Sequence, residues 1–134
     1  MTKYFADAWY FIARIARGDA HHAAARRLAA RLPTATLLTH DAVLFEVLAY
    51  FSDEGPATRG AAAAVVRDLL ATAEVVQSSR ALFLRALTRY EQRPDKEYSL
   101  VDCMSMVVME ERGIRHVLTN DHHFAQAGFV VVSQ

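Results

Sequence analysis

Short apolar runs alternate with longer helix-forming segments along this chain, and this alternation limits the possible folds more than any other feature. Five runs have the length and composition of β-strands, and they span residues 3–6, 36–39, 74–76, 116–119 and 129–132. The segments between them are too long for hairpins and are rich in alanine, leucine and arginine, which favours helices. Strands that alternate with helices pair in parallel through right-handed crossovers. We therefore predict an α/β fold in which helices cover both faces of a central parallel sheet of four to five strands.

Capping residues indicate where the helices begin and end. We predict helices at residues 9–15, 21–32, 41–51, 58–71 and 100–112, with one more that follows Ser78 or Ser79 and ends at residue 90. Asp19 is suited to cap the second helix and Ser99 the last, because short polar side chains accept hydrogen bonds from the free amides of a first turn. Gly113 follows the last of these helices, at a position where the left-handed conformation favours glycine.

The overall composition excludes several classes of protein. The chain has 134 residues, a length typical of one domain, and its fifteen basic and fifteen acidic side chains cancel, so net charge does not indicate a polyanionic partner. A single cysteine, Cys103, rules out an internal disulfide and fits a reducing compartment. No apolar stretch approaches the ~18 residues of a membrane helix, and the first residues make a poor signal peptide. We therefore expect a cytoplasmic protein without a membrane segment.

Four acidic residues fall where the predicted sheet would bring them together. Asp7 directly follows the first strand, and Asp121 follows the strand at 116–119 after one further residue. Asp102 lies in the first turn of its helix, and Glu46 lies about a turn and a half into the helix that follows the second strand. In an open α/β sheet, ligands bind outside the carboxyl ends of the strands. The four carboxylates are therefore expected at one edge of the sheet.

Converging carboxylates repel one another, and a bound divalent cation relieves that repulsion. Oxygen ligands suit Mg²⁺ or Mn²⁺, and such ions bind through a few carboxylates together with substrate phosphate oxygens. This chemistry favours phosphodiester hydrolysis, in which the metal activates water and neutralises charge on the phosphate. Taken singly, an aspartate after a strand is more often a turn residue, and Asp102 could simply favour its helix dipole. Glu46 is harder to explain in this way, because its neighbours in the sequence are apolar.

These are the residues at which the sequence resembles the PIN-domain ribonucleases, and most closely the VapC-type toxins of toxin–antitoxin pairs. The first acid lies in YFADAWYFIARIARGDAHHAAA, and the glutamate lies in LLTHDAVLFEVLAYF. The most specific segment is YSLVDCMSMVVMEERGIRHVLTNDHHFAQAGFVVV, which is similar to the part of the family that carries its third and fourth acids. The resemblance covers nearly the whole chain, and residues 53–93 are its least distinctive part.

The resemblance implies one PIN-like domain over residues 1–134, folded as a three-layer α/β/α sandwich, with Mg²⁺- or Mn²⁺-dependent endoribonuclease activity. It also implies an RNA substrate, a cognate antitoxin and frequent homodimers. The family's metal-binding and catalytic acids map onto Asp7, Glu46, Asp102 and Asp121. Relatives commonly carry a Ser or Thr within two residues of the first acid, whereas Ala8 and Trp9 stand here. Thr119 and Asn120 are then expected to support the last acid.

Other polar residues have weaker claims to a role in the site. His122 and His123 could ligate zinc, but no cysteine or spaced histidine pair completes a tetrahedral set, and a role in the turn before the last strand is favoured. For RNA, basic side chains near the acidic edge are expected to contact phosphates without reading sequence. The candidates are Arg14, Arg17, Arg93, Lys96 and His40. Solvated helix arginines are the competing interpretation.

Three other functions remain open from the sequence. One is a housekeeping RNA-processing nuclease without an antitoxin. Another is a binding module whose acids take a metal only for structure, or which binds RNA without cutting it. A phosphoacceptor receiver domain also has clustered acids and a similar sheet. That last function is disfavoured, because Asp7 has no acidic neighbour after the first strand and the late part of the chain has no lysine.

Overall fold

The computed structural model describes residues 2–132, in which five strands alternate with seven helices. The strands are β1 (Tyr4–Ala6), β2 (Leu37–His40), β3 (Glu74–Val76), β4 (His116–Leu118) and β5 (Val130–Val131). The helices are α1 (Ala8–Ile15), α2 (His22–Arg31), α3 (Asp41–Tyr50), α4 (Pro56–Thr72), α5 (Arg80–Gln92), α6 (Leu100–Arg112) and α7 (His123–Gln126), and a short 3₁₀ turn occupies Thr34–Thr36.

All five strands form one parallel sheet in the order β3-β2-β1-β4-β5. The first strand in the chain is therefore the central one, and Phe5 pairs with Leu38 on one side and Val117 on the other. The predicted α/β fold with a central parallel sheet is confirmed. In a parallel sheet all carboxyl ends meet at one edge, so the residues after β1, β2 and β4 become neighbours.

The core lies between the sheet and the helices. On the central strands, the side chains of Phe5, Leu38 and Val117 are fully buried, as expected of strands covered on both faces. Helix α6 is buried from Asp102 to Met109, and α5 packs over it. Helix α1 packs against α2 and α3. Burial of α6 over most of its length fixes its first turn, and Asp102 with it, firmly beside the sheet edge.

Local capping chemistry decides several boundaries. Helix α6 has the predicted bounds, because Ser99 and Asp102 form a reciprocal capping box and Gly113 ends the helix with a φ of 66°. Helix α4 begins two residues earlier than predicted, because Pro56 fits the first turn and is preceded by Gly55 with a φ of 88°. The predicted cap of α2 is wrong, since His21 holds that position and the Asp19 carboxylate accepts its backbone N–H at 2.8 Å.

Two further features concern the whole described chain. Among residues 2–132, no helix combines the length and apolar character needed to cross a bilayer. Cys103 is a buried free thiol within α6, and burial raises its pKa. A thiol in that state is poorly nucleophilic, so Cys103 fills space in the core.

Candidate active site

The first strand delivers Asp7 to the carboxyl edge of the sheet. Its backbone N–H donates to the Leu118 carbonyl of the neighbouring strand at 3.2 Å, so the residue is held by the sheet itself. The carboxylate accepts a hydrogen bond from Thr119 Oγ1 at 2.9 Å, and Asp7 is only 8% exposed. Burial raises the pKa of Asp7 to about 6, although hydrogen bonds from Ala8 and Thr119 oppose the rise.

Thr119 links two of the acids. Its hydroxyl donates to the Asp7 carboxylate and accepts the backbone N–H of Asp121 at 3.1 Å. Thr119 is fully buried, so both hydrogen bonds form away from bulk water. Ala8 and Trp9, the residues after Asp7, carry no hydroxyl, and Thr119 supplies one to the Asp7 carboxylate. The side chain of Asn120 points elsewhere, and its Nδ2 lies 3.3 Å from Nε2 of His21.

Helix α6 presents Asp102 from its first turn. The Asp102 carboxylate accepts the Ser99 backbone N–H at 3.1 Å, and the Asp102 backbone N–H donates to Ser99 Oγ at 3.0 Å. This capping box holds the carboxylate in place, because its Oδ2 accepts a hydrogen bond from the backbone. The capping and site interpretations of Asp102 are therefore compatible, because the same helix start positions the side chain at the edge.

Glu46 reaches the cluster from α3, the helix that follows β2. The neighbouring Val43, Leu44 and Val47 are buried, whereas Glu46 itself is an exposed residue. Partial burial of its carboxyl group raises the pKa of Glu46 to about 7, and repulsion from Asp7 and Asp102 adds to this rise. Glu46 therefore has apolar neighbours in the sequence but acidic neighbours in space, because its side chain faces the other acids rather than the core.

The electrostatics of the four carboxylates show that they act on one another. Asp102 and Asp121 both raise the pKa of Asp7, and Asp7 and Asp102 both raise the pKa of Glu46. Such mutual repulsion requires short separations, since water screens charges that are farther apart. Carboxylate oxygens are the ligands that a hard divalent cation prefers, so the chemistry of these residues fits the ion that the sequence implied.

His123 also belongs to this cluster, which the sequence did not predict. Its Nδ1 lies 3.3 Å from Asp102 Oδ2 and 3.2 Å from Asp121 Oδ1, so the imidazole lies between two acids that come from different elements. The backbone N–H of His123 donates to Asp121 Oδ1 at 2.9 Å, and its ring packs edge-on against Tyr98. A histidine two residues after an acid, where a helix begins, was the available signal.

His40 is not an RNA contact, and the prediction that it could be one is wrong. The residue is fully buried at the end of β2, and its Nε2 lies 2.8 Å from Ser105 Oγ in α6. The Ser105 hydroxyl donates to the Val101 carbonyl at 2.9 Å, so it accepts the proton on Nε2 of His40. Burial lowers the pKa of His40 to about 4, which keeps the ring neutral. The hydrogen bond between His40 and Ser105 therefore joins the end of β2 to α6 inside the protein.

The predicted basic RNA contacts divide into two groups. Arg93 and Lys96 line a groove on the loop before α6 that also includes Ser99, so they border the Asp102 cap, and Arg93 pairs with Asp95 at 3.4 Å. Arg14 and Arg17 lie in the last turn of α1 and just beyond it, about 10 Å or more along the helix from Asp7. The Arg14 guanidinium is 5.5 Å from the centroid of the Tyr10 ring, a cation–π contact.

Comparison with known proteins gives consistent matches. The model of the PIN domain family matches residues 4–130. A 23S rRNA-specific endonuclease of Mycobacterium tuberculosis, VapC20, is 32% identical over 128 residues, which are 96% of this chain and 96% of that protein. The crystal structure of VapC20, described as a Sarcin-Ricin loop cleaving toxin, superposes with a TM-score of 0.88 over 98% of this chain and 100% of that one.

A more distant structure shares the fold alone. The chain superposes on DNA-bound VapBC from Salmonella typhimurium with a TM-score of 0.66, 20% identity and 98% coverage of both chains. The family model and the VapC20 match each span nearly all of this chain, including the strand ends and helix starts that carry the acids. The chain therefore belongs to the PIN-domain family, and within that family it resembles the VapC-type toxins.

Proposed function

We propose that this protein is a Mg²⁺- or Mn²⁺-dependent endoribonuclease and the toxin of a type II toxin–antitoxin pair. The observation that carries this proposal is the convergence of Asp7, Glu46, Asp102 and Asp121 at one sheet edge, with two of them held at raised pKa. Similarity to VapC20 supports the choice of RNA as the substrate. Because that relative is named for 23S rRNA, large-subunit rRNA and its sarcin–ricin loop are the first substrates to test.

The four acids would hold the metal, and each is positioned by a different part of the fold. A bound divalent ion would lower the pKa of an attacking water and neutralise charge on the scissile phosphate. The chain itself orients the ligands, since Thr119 holds Asp7 and Ser99 holds Asp102. Glu46 is the exposed member of the four, so its carboxylate is open to an incoming phosphodiester. Arg93 and Lys96, on the loop before α6, are placed to contact substrate phosphates.

A protein partner fits the same edge. We propose that a cognate antitoxin inserts a segment with a cationic side chain against the acids, which would neutralise them as a metal ion does. Homodimers are also proposed, and the exposed side chains Phe45, Leu48 and Tyr50 on α3 offer apolar surface for protein contacts. A short upstream reading frame that overlaps this one and encodes a DNA-binding protein would support the pairing, as would co-purification of its product with this chain.

RNA cleavage in a purified system tests the enzymatic part of the proposal. Wild type is expected to cut large-subunit rRNA with Mg²⁺ or Mn²⁺ and to lose activity in EDTA, whereas Asp7→Asn should lose at least about 100-fold in rate, corresponding to about 2.7 kcal/mol of lost metal-dependent stabilisation. Mapping the 5′ ends of cleaved RNA after brief expression would identify the substrate. Cleavage that needs no metal, or an Asp7→Asn variant as active as wild type, would contradict this function.

A further inference from the structure

Two adjacent histidines stand beside two of the acids and add nitrogen ligands to the cluster. One ligand atom from each of Asp121, His122 and His123 lies within 4.8 Å of the other two. His122 Nδ1 is 3.9 Å from Asp121 Oδ1, and His123 Nδ1 is 3.2 Å from the same oxygen. Asp102 Oδ2 approaches from α6, 3.3 Å from His123 Nδ1. Asp121, His122 and His123 therefore bring two imidazole nitrogens and one carboxylate to one place, and Asp102 borders them through its contact with His123.

The separations agree with the geometry of a metal site. Zinc binds nitrogen and carboxylate oxygen at about 2.0–2.2 Å, so the ligands of a tetrahedral ion lie about 3.3–3.6 Å from one another. The distances from Asp121 Oδ1 to the two imidazole Nδ1 atoms, 3.2 and 3.9 Å, bracket that range. Because the His122 side chain is 75% exposed, small rotations about its side-chain bonds can close the longer of these distances.

Ligand type sets the preference of this group for particular metals. Imidazole suits Zn²⁺, Ni²⁺ and Cu²⁺, whereas Mg²⁺ prefers an all-oxygen set in near-ideal octahedral geometry. The His123 ring is also held in place, because it packs edge-on against Tyr98 and has a side chain only 17% exposed. A preoriented imidazole loses little freedom when it binds an ion. The histidine side of the cluster thus differs chemically from the side formed by Asp7 and Glu46.

We propose that Asp121, His122 and His123 form a binding site for a transition-metal ion of the zinc class, which Asp102 borders. The ion would take Nδ1 from each imidazole and one oxygen from the Asp121 carboxylate. Because Asp121 also belongs to the four-carboxylate set, zinc at this site competes with Mg²⁺, a consequence that rests on the proposed nuclease function. Binding itself does not depend on that function.

Calorimetric titration of the full chain with Zn²⁺ and separately with Mg²⁺ tests the site. Wild type is expected to bind one Zn²⁺ at least tenfold more tightly than Mg²⁺, and the double variant His122→Gln/His123→Gln should lower the ratio of the two affinities at least tenfold. Co²⁺ used as a spectroscopic probe should show the strong visible absorption of a four-coordinate ion in wild type and lose it in the double variant. His116→Gln, on β4 at the opposite edge, is the matched control and should change neither measurement.

Each outcome of the titrations supports or overturns the site. An unchanged affinity ratio in the folded double variant, or a wild type that binds Zn²⁺ no more tightly than Mg²⁺, overturns it. If the double variant does not fold, His122→Gln alone decides, since this exposed side chain can be replaced without loss of packing. That variant should lower the ratio at least threefold, and no change would overturn the proposal.

RNA cleavage distinguishes this inference from the proposed function. Added Zn²⁺ should slow Mg²⁺-dependent cleavage by wild type, and it should slow cleavage by the double variant much less. A wild type that binds Zn²⁺ through the histidines but cleaves no RNA with Mg²⁺ would refute the nuclease proposal and leave the zinc site intact. Cleavage with Mg²⁺, combined with an unchanged affinity ratio in the double variant, would refute the zinc site and leave the nuclease proposal intact.

Discussion

Carboxylates at the two edges of the sheet have opposite electrostatic surroundings. At the amino-terminal edge, Glu74 pairs with Lys3 at 3.8 Å and with Arg112 at the end of α6. At the carboxyl-terminal edge, Asp7 and Glu46 face other acids. The hydrogen bond from Arg112 lowers the pKa of Glu74, whereas burial and repulsion raise the pKa of Asp7 to about 6 and of Glu46 to about 7.

The direction of each pKa shift shows whether the ionised carboxylate stabilises or destabilises the folded protein. A carboxylate with a lowered pKa is more stable ionised in the folded protein, so it adds to the free energy of unfolding at neutral pH. A carboxylate with a raised pKa subtracts from it, because the folded protein must hold a charge that water would solvate better. Asp7 and Glu46 therefore lower the stability of the metal-free chain at neutral pH, as is common for groups kept for binding or catalysis.

The largest predicted effect contrasts one acid from each edge. Asp121→Asn is expected to lower the rate of metal-dependent RNA cleavage at least about 100-fold, because it removes a proposed metal ligand. Glu74→Gln, the matched carboxyl-to-amide change at the other edge, should leave the rate within about twofold, since surface substitutions away from a site have small effects. Rates at saturating Mg²⁺ measure both. Comparable losses in the two variants would mean that the edges do not differ in function.

Removal of one hydroxyl should have the next largest effect. Thr119→Val deletes the hydrogen bonds to Asp7 and to the Asp121 backbone, and it should lower activity or metal affinity about 10–100-fold, as loss of a residue that orients ligands commonly does. The control is Thr39→Val at the end of the neighbouring strand, where the buried hydroxyl donates to the Ala6 carbonyl at 2.9 Å.

The Thr39 control should affect stability without changing metal affinity. Loss of its hydrogen bond should lower the free energy of unfolding by about 0.5–1.5 kcal/mol, measured by urea denaturation. Metal titrations of both variants complete the comparison. If Thr119→Val binds Mg²⁺ as wild type does, the hydroxyl serves the fold and does not position the acids.

The dependence of stability on pH follows from Glu46. Its pKa of about 7 in the folded protein lies above the ordinary value of 4.5, so the folded form binds the proton more tightly. As pH falls from about 7 towards 4.5, the free energy of unfolding of metal-free wild type should therefore increase relative to that of Glu46→Gln. Comparison of the two proteins cancels the opposing contribution of His40, whose lowered pKa destabilises the fold over pH 6.5 to about 4.

Urea denaturation of both proteins in EDTA at several pH values measures this difference. A difference that stays constant between pH 7.5 and 5 would show that the pKa of Glu46 is not raised in the folded protein. Saturating Mg²⁺ should stabilise wild type more at pH 7.5 than at pH 5.5, because protons and the ion compete for the same carboxylates.

The smallest predicted effect concerns the amino-terminal edge. The side chains of Arg112 and Glu74 are both 43% exposed, and such pairs contribute about 0.2–1 kcal/mol. Arg112→Gln should lower the free energy of unfolding by no more than this, and high salt should shrink the loss by screening. A larger, salt-insensitive loss would show that Arg112 contributes through packing rather than charge.

Local sequence patterns are sufficient to predict several elements. The predicted bounds of helix α6 and of the strand Glu74–Val76 match the structure, because capping, glycine at the helix end and β-branched content all act within a few residues. The first and last turns of other helices are less well predicted. Helix α4 shows why, since Pro56 is favourable in a first turn although it breaks a helix elsewhere.

Two histidines mark the limit of this reasoning. His40 follows β2 at the same edge as the acids, but β2 lies inside the sheet and α6 covers it, so Ser105 meets the ring instead of solvent. His123 is predicted to shape a turn, and it lies between Asp102 and Asp121. Both outcomes depend on where α6 packs, which involves residues about 20 to 65 positions away in the chain.

The succession of strands and helices along the chain, the parallel sheet and the expectation of four acids at its carboxyl edge could be predicted from local patterns. These predictions follow from apolar periodicity, capping and the rule that parallel strands end together. The strand order β3-β2-β1-β4-β5 within the sheet, the burial of His40 and the placement of His123 emerge only in the folded chain. Such features arise from contacts between distant residues, whose packing and desolvation energies have no local signature in the chain.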